Sequence, residues 1–332
     1  MRYLITGGAG FIGSNLIIKL IEHGHQVLNV DSLTYAANLE NLDSIRDKLN
    51  YEFENIDITE KENIASCVNS YEPEIIIHLA AESHVDRSIQ GPGNFISTNI
   101  IGTYNLLEAF RDYYSLQNKT TKNLKFLHVS TDEVFGDLQE GCPKFNENNP
   151  YKPNSPYSAS KASSDHLVRS WNITYKIPTL ITNCSNNFGP YQHSEKLIPN
   201  IVKKAISGNS IPIYGDGSQI RDWLYVEDHV NALILVSSKG KEGETYNIGG
   251  NNEIRNIDLA NLVCLTLDEL VTEKPNNISS FTDLITFVED RPGHDFRYAI
   301  DTTKINSELG WYPKEDFSSA LRKTLEWYLK IQ

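Results

Sequence analysis

The stretch Tyr3-Leu4-Ile5-Thr6-Gly7-Gly8-Ala9-Gly10-Phe11-Ile12-Gly13 decides how this chain is read. A short apolar run enters a G-x-x-G-x-x-G turn, and the amphipathic stretch Phe11–Glu22 follows, with Gly24 just beyond it. Apolar residues recurring at three and four predict a helix there, and the glycine past its end predicts the stop. Glycines let the backbone turn sharply and approach a pyrophosphate, whose charge the helix N-terminus favours. Any tight turn can carry glycines, so the context has to decide. The second apolar run, Gln26–Val30, ends at Asp31, about 20 residues downstream, where an acidic group accepts hydrogen bonds from an adenosine ribose. A carboxylate there repels a 2′-phosphate, so the expected cofactor is NAD rather than NADP. Asp31 as a mere loop cap fits the paired glycine turn less well. Gly7, Gly10, Phe11, Ile12, Gly13 and Asp31 are the predicted cofactor contacts, and Asp57 and Ile58, which close the third run, are candidates for the adenine edge.

Outward from that turn, residues 3–6, 26–30, 51–56, 75–80, 125–130 and 179–182 read as strands ending in polar residues, with helical patterns such as 94–114 between them. That rhythm predicts an α/β fold: a doubly wound parallel sheet with helices on both faces. Beyond about residue 185 the pattern breaks into shorter elements rich in Asn, Pro and Gly, such as 186–190 and 211–217. Residues 1–185 are therefore expected to form the cofactor domain, with part of about 223–250 returning to it. Residues 186–332 are expected to be mainly a smaller, mixed α/β substrate lobe. The Asn- and Lys-rich 117–123 reads as an exposed loop, and 261–290 carries no readable motif.

Composition narrows the function classes. A formal charge of −13 over 332 residues excludes a general nucleic-acid binder, which needs a basic surface to neutralise phosphates. Cys67, Cys142, Cys184 and Cys264 are widely spaced and include no C-x-x-C; free thiols and a reducing cytoplasm are expected. Met1 leads straight into the first strand without a signal-peptide core, and no apolar run reaches membrane-spanning length. The nine histidines lack ligand spacing, so no metal is expected.

Two segments carry chemistry. Tyr157-Ser158-Ala159-Ser160-Lys161 puts a phenol and an ammonium four residues apart on one helical face. A tyrosine with a reference pKa of about 10 is a poor base at neutral pH, but a lysine and a positive nicotinamide ring both favour the phenolate. Y-x-x-x-K alone is common by chance; its place after five strand–helix units gives it weight. Val129-Ser130-Thr131-Asp132-Glu133-Val134-Phe135-Gly136 ends a predicted strand at the edge where such sheets bind ligands. Adjacent carboxyls behind a threonine suit a reaction needing separate acid and base groups, whereas Asp-Glu elsewhere is usually a solvated turn.

Together these residues resemble the extended short-chain dehydrogenase/reductase family, over nearly the whole chain. Thr131-Asp132-Glu133 narrows the resemblance to its nucleotide-glucose 4,6-dehydratases, since related epimerases have a Ser-rich segment there and GDP-mannose dehydratases Thr-Ser-Glu. Leu79-Ala80-Ala81-Glu82-Ser83-His84-Val85-Asp86-Arg87-Ser88, Asn183-Cys184-Ser185-Asn186-Asn187, Glu195-Lys196-Leu197-Ile198-Pro199, Arg221-Asp222-Trp223 and Asp290-Arg291-Pro292-Gly293-His294-Asp295 match as well. The resemblance implies a Rossmann-type sheet and a homodimer. It implies that Tyr157, with Lys161 and Thr131, takes the C4 hydroxyl proton during oxidation by NAD, that Glu133 takes the C5 proton, and that a protonated Asp132 releases the C6 hydroxyl as water. Ala80, Ala81 and Thr98 would line the NAD channel, and Asn187 would face the cofactor as well.

For the nucleoside-diphosphate substrate the resemblance implies Ser83 and Asn186 at the sugar or phosphate, and Lys196, Leu197, Arg221, Arg291 and His294 around the diphosphate. Pro212, Tyr214 and Asn256 would frame the base, with thymidine preferred and uridine left open. A deoxysugar such as rhamnose is the implied destination. A 4-epimerase would use the same Tyr157, Lys161 and NAD but not the Asp132–Glu133 pair, and an NAD-sensing regulator would need neither.

Overall fold

The computed structural model describes residues 1–117 and 124–331. Its strands are β1 (Arg2–Thr6), β2 (Gln26–Val30), β3 (Tyr51–Glu54), β4 (Ile75–His78), β5 (Lys125–Thr131), β6 (Thr179–Cys184), β7 (Asn186–Phe188), β8 (Ile211–Tyr214), β9 (Ile220–Tyr225), β10 (Thr245–Ile248), β11 (Glu253–Arg255) and β12 (Ile285–Val288). Seven of them form one parallel sheet in the order β10-β6-β5-β4-β1-β2-β3. The order reverses at β1 and β4, and a crevice opens outside the carboxyl ends of strands at such a reversal.

Side chains alternate between the faces of a strand, and both faces here are covered. Tyr3 and Ile5 of β1 enter one apolar cluster with Leu16, Ile17 and Leu20 of helix Phe11–Glu22 and with helix Val226–Lys239. Leu4 enters the opposite cluster with helices Lys61–Tyr71, Thr103–Leu116 and Pro156–Tyr175. Burial on both sides explains why these strands read as unbroken apolar runs rather than alternating ones.

Among the expected boundaries that move, β4 ends at His78 rather than at residue 80 and β6 runs on to Cys184 rather than ending at 182, and two further shifts have a local cause. The third run stops at Glu54, not at residue 56, because the Asp57 carboxylate accepts from the Thr59 amide and hydroxyl, both at 2.8 Å, and turns the chain into the next helix. The helix expected over 94–114 is three segments: Pro92–Phe95, a π-helical stretch Ile96–Gly102, and Thr103–Leu116. Within the π stretch, Asn99 accepts from the Glu82 amide (2.8 Å) and donates to the Glu82 carbonyl (3.0 Å) and the Ser160 hydroxyl (2.8 Å). That side chain ties the loop after β4 to the helix of Tyr157 and Lys161, which offsets the weaker π geometry.

The chain beyond the main sheet holds the sheets β11-β9-β7 and β12-β8 with helices Leu197–Ile206, Asn256–Leu270 and Phe317–Ile331. Its helices run 10, 15 and 15 residues, so the Asn, Pro and Gly clusters mark turns between regular elements, not a loss of them. The stretch 261–290 holds most of one helix and all of β12. Helix Val226–Lys239 and β10 return to the main sheet, where β10 pairs with β6. Residues 118–123 of the expected loop lie outside the described residues. Among those described, no helix is long and apolar enough to cross a membrane.

Candidate active site

A cleft runs along the carboxyl ends of β1, β4, β5 and β6. At one end Gly7 takes a φ of +72°, and a Cβ there would lie 2.6 Å from the Ala80 nitrogen; one on Gly13 would lie 2.2 Å from the Gly7 carbonyl oxygen. Both glycines are required by close backbone packing. Gly10 differs, because its missing Cβ would approach nothing nearer than the Gly7 oxygen at 3.3 Å. It leaves open space at a helix N-terminus in the cleft wall, a cradle suited to a phosphate. Phe11, Ile12, Asp57, Ile58, Ala80, Ala81 and Thr98 line the same half. The Asp31 carboxylate accepts from the Ala9 amide (2.9 Å) and the Leu33 amide (2.8 Å) and still faces the cleft. Burial raises its pKa, against those two bonds.

The other half starts where β5 ends. The Thr131 hydroxyl caps the short turn Asp132–Phe135, accepting from the Glu133 amide at 3.3 Å and donating to Asp132 Oδ1 at 3.3 Å. Asp132 is 2% exposed. Burial, then the neighbouring Glu133 and Asp222 carboxylates, hold its carboxyl well above the usual range, while Arg221 and Thr131 pull the other way. Glu133 is raised by burial, but Arg291, Arg221 and Lys196 all favour its charge. Adjacent in sequence, the two carboxyls are held in environments that separate an acid from a base.

Tyr157 and Lys161 lie on helix Pro156–Tyr175, whose start is fixed by a capping box between Ser155 and Ser158. Both line the cleft with Thr131, Asp132 and Glu133. Burial, Glu133 and Cys184 push the Tyr157 phenol well above 10, and the Thr131 hydroxyl lowers it. The polypeptide by itself thus keeps Tyr157 as a phenol, and its use as a base requires further positive charge in the cleft. Lys161 Nζ donates to the Val129 carbonyl at 2.9 Å and lies 3.5 Å from His128 Nε2; burial brings its pKa down to about 8.

The expected substrate residues divide. Ser83, Asn186, Asn187 and Lys196 line the central cleft, with Lys196 Nζ donating to the Ser83 carbonyl (3.0 Å) and Asn187 Oδ1 2.8 Å from His229 Nδ1. Leu197 follows as the first residue of its helix. Arg221 is buried, donating to the Ile220 (2.8 Å), Asp295 (2.9 Å) and Phe296 (3.3 Å) carbonyls with its guanidinium 4.4 Å from the centre of the Tyr298 ring. Pro212 and Tyr214 occupy the exposed face of β8. The Tyr214 hydroxyl and Arg291 Nη1 both reach Asp86, at 3.3 and 3.5 Å, and His294 Nδ1 lies 2.6 Å from Asp290 Oδ1. Asn256 donates its amide to the Gln219 carbonyl (2.9 Å), and Gln219 donates to Asp290 (3.0 Å). These last residues gather around Asp86 and Asp290, outside the central cleft.

Sequence reasoning missed a buried group behind Lys161, formed by His128 and Asp165, and the Asp222 carboxylate near Asp132. The signal for Asp165 was available: it follows Lys161 by four residues on the same helix face.

A family model described as GDP-mannose 4,6 dehydratase matches residues 4–324. The chain is 54% identical to a dTDP-glucose 4,6-dehydratase of Escherichia coli, over 99% of this chain and 94% of that protein. It is 53% identical to the dTDP-glucose 4,6-dehydratase of Haemophilus influenzae, over 99% and 98%. The crystal structure of a dTDP-glucose 4,6-dehydratase from Streptomyces venezuelae, solved with NAD bound, is 40% identical and superposes with a TM-score of 0.90, covering 99% of this chain and 97% of that one.

Proposed function

This chain belongs to the nucleotide-sugar 4,6-dehydratase family, and from that premise we propose that it converts dTDP-glucose to dTDP-4-keto-6-deoxyglucose and water with NAD as resident cofactor. The observation that carries this reading is the meeting of Asp132, Glu133, Thr131 and Tyr157 in one cleft, where burial pushes the Asp132 carboxyl well above the usual carboxylate range. A 4-epimerase has no step for that pair.

The cofactor half fits NAD. Gly10 leaves room for a pyrophosphate at the helix end, and Asp31, fixed by two amides, has lone pairs for a ribose diol. Asp57, Ile58, Ala80, Ala81, Thr98, Asn187 and Lys161 would complete the contacts. Bound there, NAD supplies the hydride acceptor for C4 and the hydride donor for C6. Tyr157 Oη takes the C4 hydroxyl proton, oriented by Thr131 and supported by the Lys161 charge. The new C4 ketone acidifies C5–H, and Glu133 takes that proton. Asp132 delivers its proton to the C6 hydroxyl, which leaves as water. As C6 is reduced, Glu133, its proton exchanged with solvent, protonates C5, and the proton taken by Tyr157 makes good through solvent the one that Asp132 gave, so each turnover balances.

Arg221, Arg291 and Lys196 would face the diphosphate, since their charges already act on Glu133. Leu197 and His294 would flank it, Ser83 and Asn186 would meet the sugar or phosphate, and Pro212, Tyr214 and Asn256 would frame the thymine. Residues 1–185, with the returning segment 223–250, form the cofactor domain in this reading, and the remainder forms the substrate lobe. The helices around 94–114 and 157–171 would pair across a two-fold axis in a homodimer, a reading that exposed Ile96 and Ile101 support. Four free cysteines support a cytoplasmic location.

Asp132→Asn combined with Glu133→Gln tests the assignment. The variant should oxidise C4 and accumulate a 4-keto-6-hydroxy sugar with reduced cofactor. Dehydration at the wild-type rate would refute it.

A further inference from the structure

We propose that Asp165, acting through His128, is a positioning residue that keeps the Lys161 ammonium charged and held at the cleft wall. This rests on the role given to Lys161 above and goes beyond it.

Lys161, His128 and Asp165 are 4%, 0% and 2% exposed, so none draws on solvent. Asp165 lies one turn along the helix from Lys161, and the His128 ring of β5 stands between their charged ends. His128 Nε2 is 3.5 Å from Lys161 Nζ and 3.2 Å from Asp165 Oδ1. One nitrogen cannot serve both. Without a hydrogen, Nε2 accepts from Lys161 but turns a lone pair toward a buried carboxylate oxygen. With a hydrogen, it lies 3.2 Å from Asp165 Oδ1 but out of line for a hydrogen bond, so that oxygen has no hydrogen-bond partner among the described residues, and Lys161 keeps only the Val129 carbonyl at 2.9 Å. Leaving a buried charged group unsatisfied costs more than about 1–3 kcal/mol, which favours the first arrangement, in which the Lys161 ammonium has both the Val129 carbonyl and His128 Nε2 as acceptors. Nδ1 of the ring has no partner among the described residues, so no proton path continues beyond it. The imidazole is a spacer between the two charged ends that accepts from Lys161, and the carboxylate acts on Lys161 through its field.

Asp165 is held from other sides as well. Its Oδ2 accepts from the Ser130 hydroxyl (2.9 Å) and Asn183 Nδ2 (3.4 Å), and Tyr151 bonds to the same carboxylate. The groups facing Lys161 are His128 on β5, His78 on β4, Cys184 on β6, and Tyr157 and Asp165 on its own helix. Both histidines are kept neutral by burial, and the Cys184 thiol is pushed up to about 12. Asp165 supplies the anionic charge in that set. It raises the Lys161 pKa against burial, and Lys161 in turn opposes the burial that pushes its own carboxyl up to about 6.

The test is the pH profile of kcat/KM for the holoenzyme carrying Asp165→Asn, with Asp165→Glu as the charge-conserving control. In the Asn variant the alkaline limb should move down by at least one pH unit, and the Glu variant should restore most of the shift. Titration of the wild type labelled with [13Cε]lysine, with Lys161 assigned by Lys161→Arg, gives a readout that needs no activity and survives misfolding of the variants. The Lys161 signal should show a second inflection near the Asp165 titration. A single inflection would overturn the anchor. Two inflections beside an unmoved limb would uphold the anchor and overturn the catalytic role of Lys161 instead.

Discussion

Gly10→Ala and Gly13→Ala should fail in opposite ways, although both alter the same turn. Gly10 has φ −79° and ψ −179°, a conformation open to alanine, and its Cβ would meet only the Gly7 oxygen at 3.3 Å. Losing a glycine stabilises by about 0.4–1 kcal/mol through the unfolded chain, and alanine is a poorer N-cap than glycine by a few tenths or more. The net change should stay within about 0.5 kcal/mol. The new methyl would stand in the space assigned to the pyrophosphate, so bound nucleotide should fall at least tenfold, equivalent to about 1.4 kcal/mol. At Gly13 the Cβ would lie 2.2 Å from the Gly7 oxygen and 2.6 Å from the Gly8 Cα, backbone atoms that cannot rotate away. Overpacking of this kind costs about 1–3 kcal/mol and sometimes more. The assays are the unfolding midpoint of nucleotide-free protein and the nucleotide released from purified protein on denaturation. If Gly10→Ala keeps wild-type nucleotide, or is as destabilised as Gly13→Ala, the cradle argument is wrong.

Tyr157→Phe should lower turnover about 10²–10⁴-fold, the range for a lost general base, and absorbance of reduced cofactor should not appear when sugar nucleotide is added; its appearance at the normal rate would exclude Tyr157 as the base. Asp132→Asn should stabilise the nucleotide-free protein in a pH-dependent way. The folded pKa of Asp132 lies above its unfolded value, so the unfolded state binds fewer protons from about pH 3.8 upward. Wild-type stability is therefore penalised increasingly as pH rises toward the folded pKa, by about 1.4 kcal/mol per unit. Denaturation midpoints from pH 4 to 7 should show the variant's advantage widening with pH, and a constant gap would contradict the protonated assignment.

The turn at Gly7–Gly13, Asp31 and the end of β5 were legible because each combines a local residue requirement with a strand buried on both faces. Tyr157 and Lys161 were legible from their spacing and their place after the fifth strand. The π-helical segment was not, since apolar residues at three and four look the same whether or not one residue is added to a turn. Pairing of β9 with β7 and β11, and of β12 with β8, joins segments far apart in sequence that carry no reciprocal mark. The cluster of Tyr214, Arg291 and His294 on Asp86 and Asp290 likewise joins segments distant in sequence. His128 reads as an interruption in an apolar strand, and its partner Asp165 becomes visible only when the helix face is drawn.

The most direct measurement is mass spectrometry of the sugar nucleotide after incubation with the protein in heavy water, with dTDP-glucose and UDP-glucose in parallel. Loss of one water with one solvent deuterium retained, faster with dTDP-glucose, is the predicted result. Conversion to a galactose isomer at unchanged mass would contradict it and make Asp132 and Glu133 bystanders.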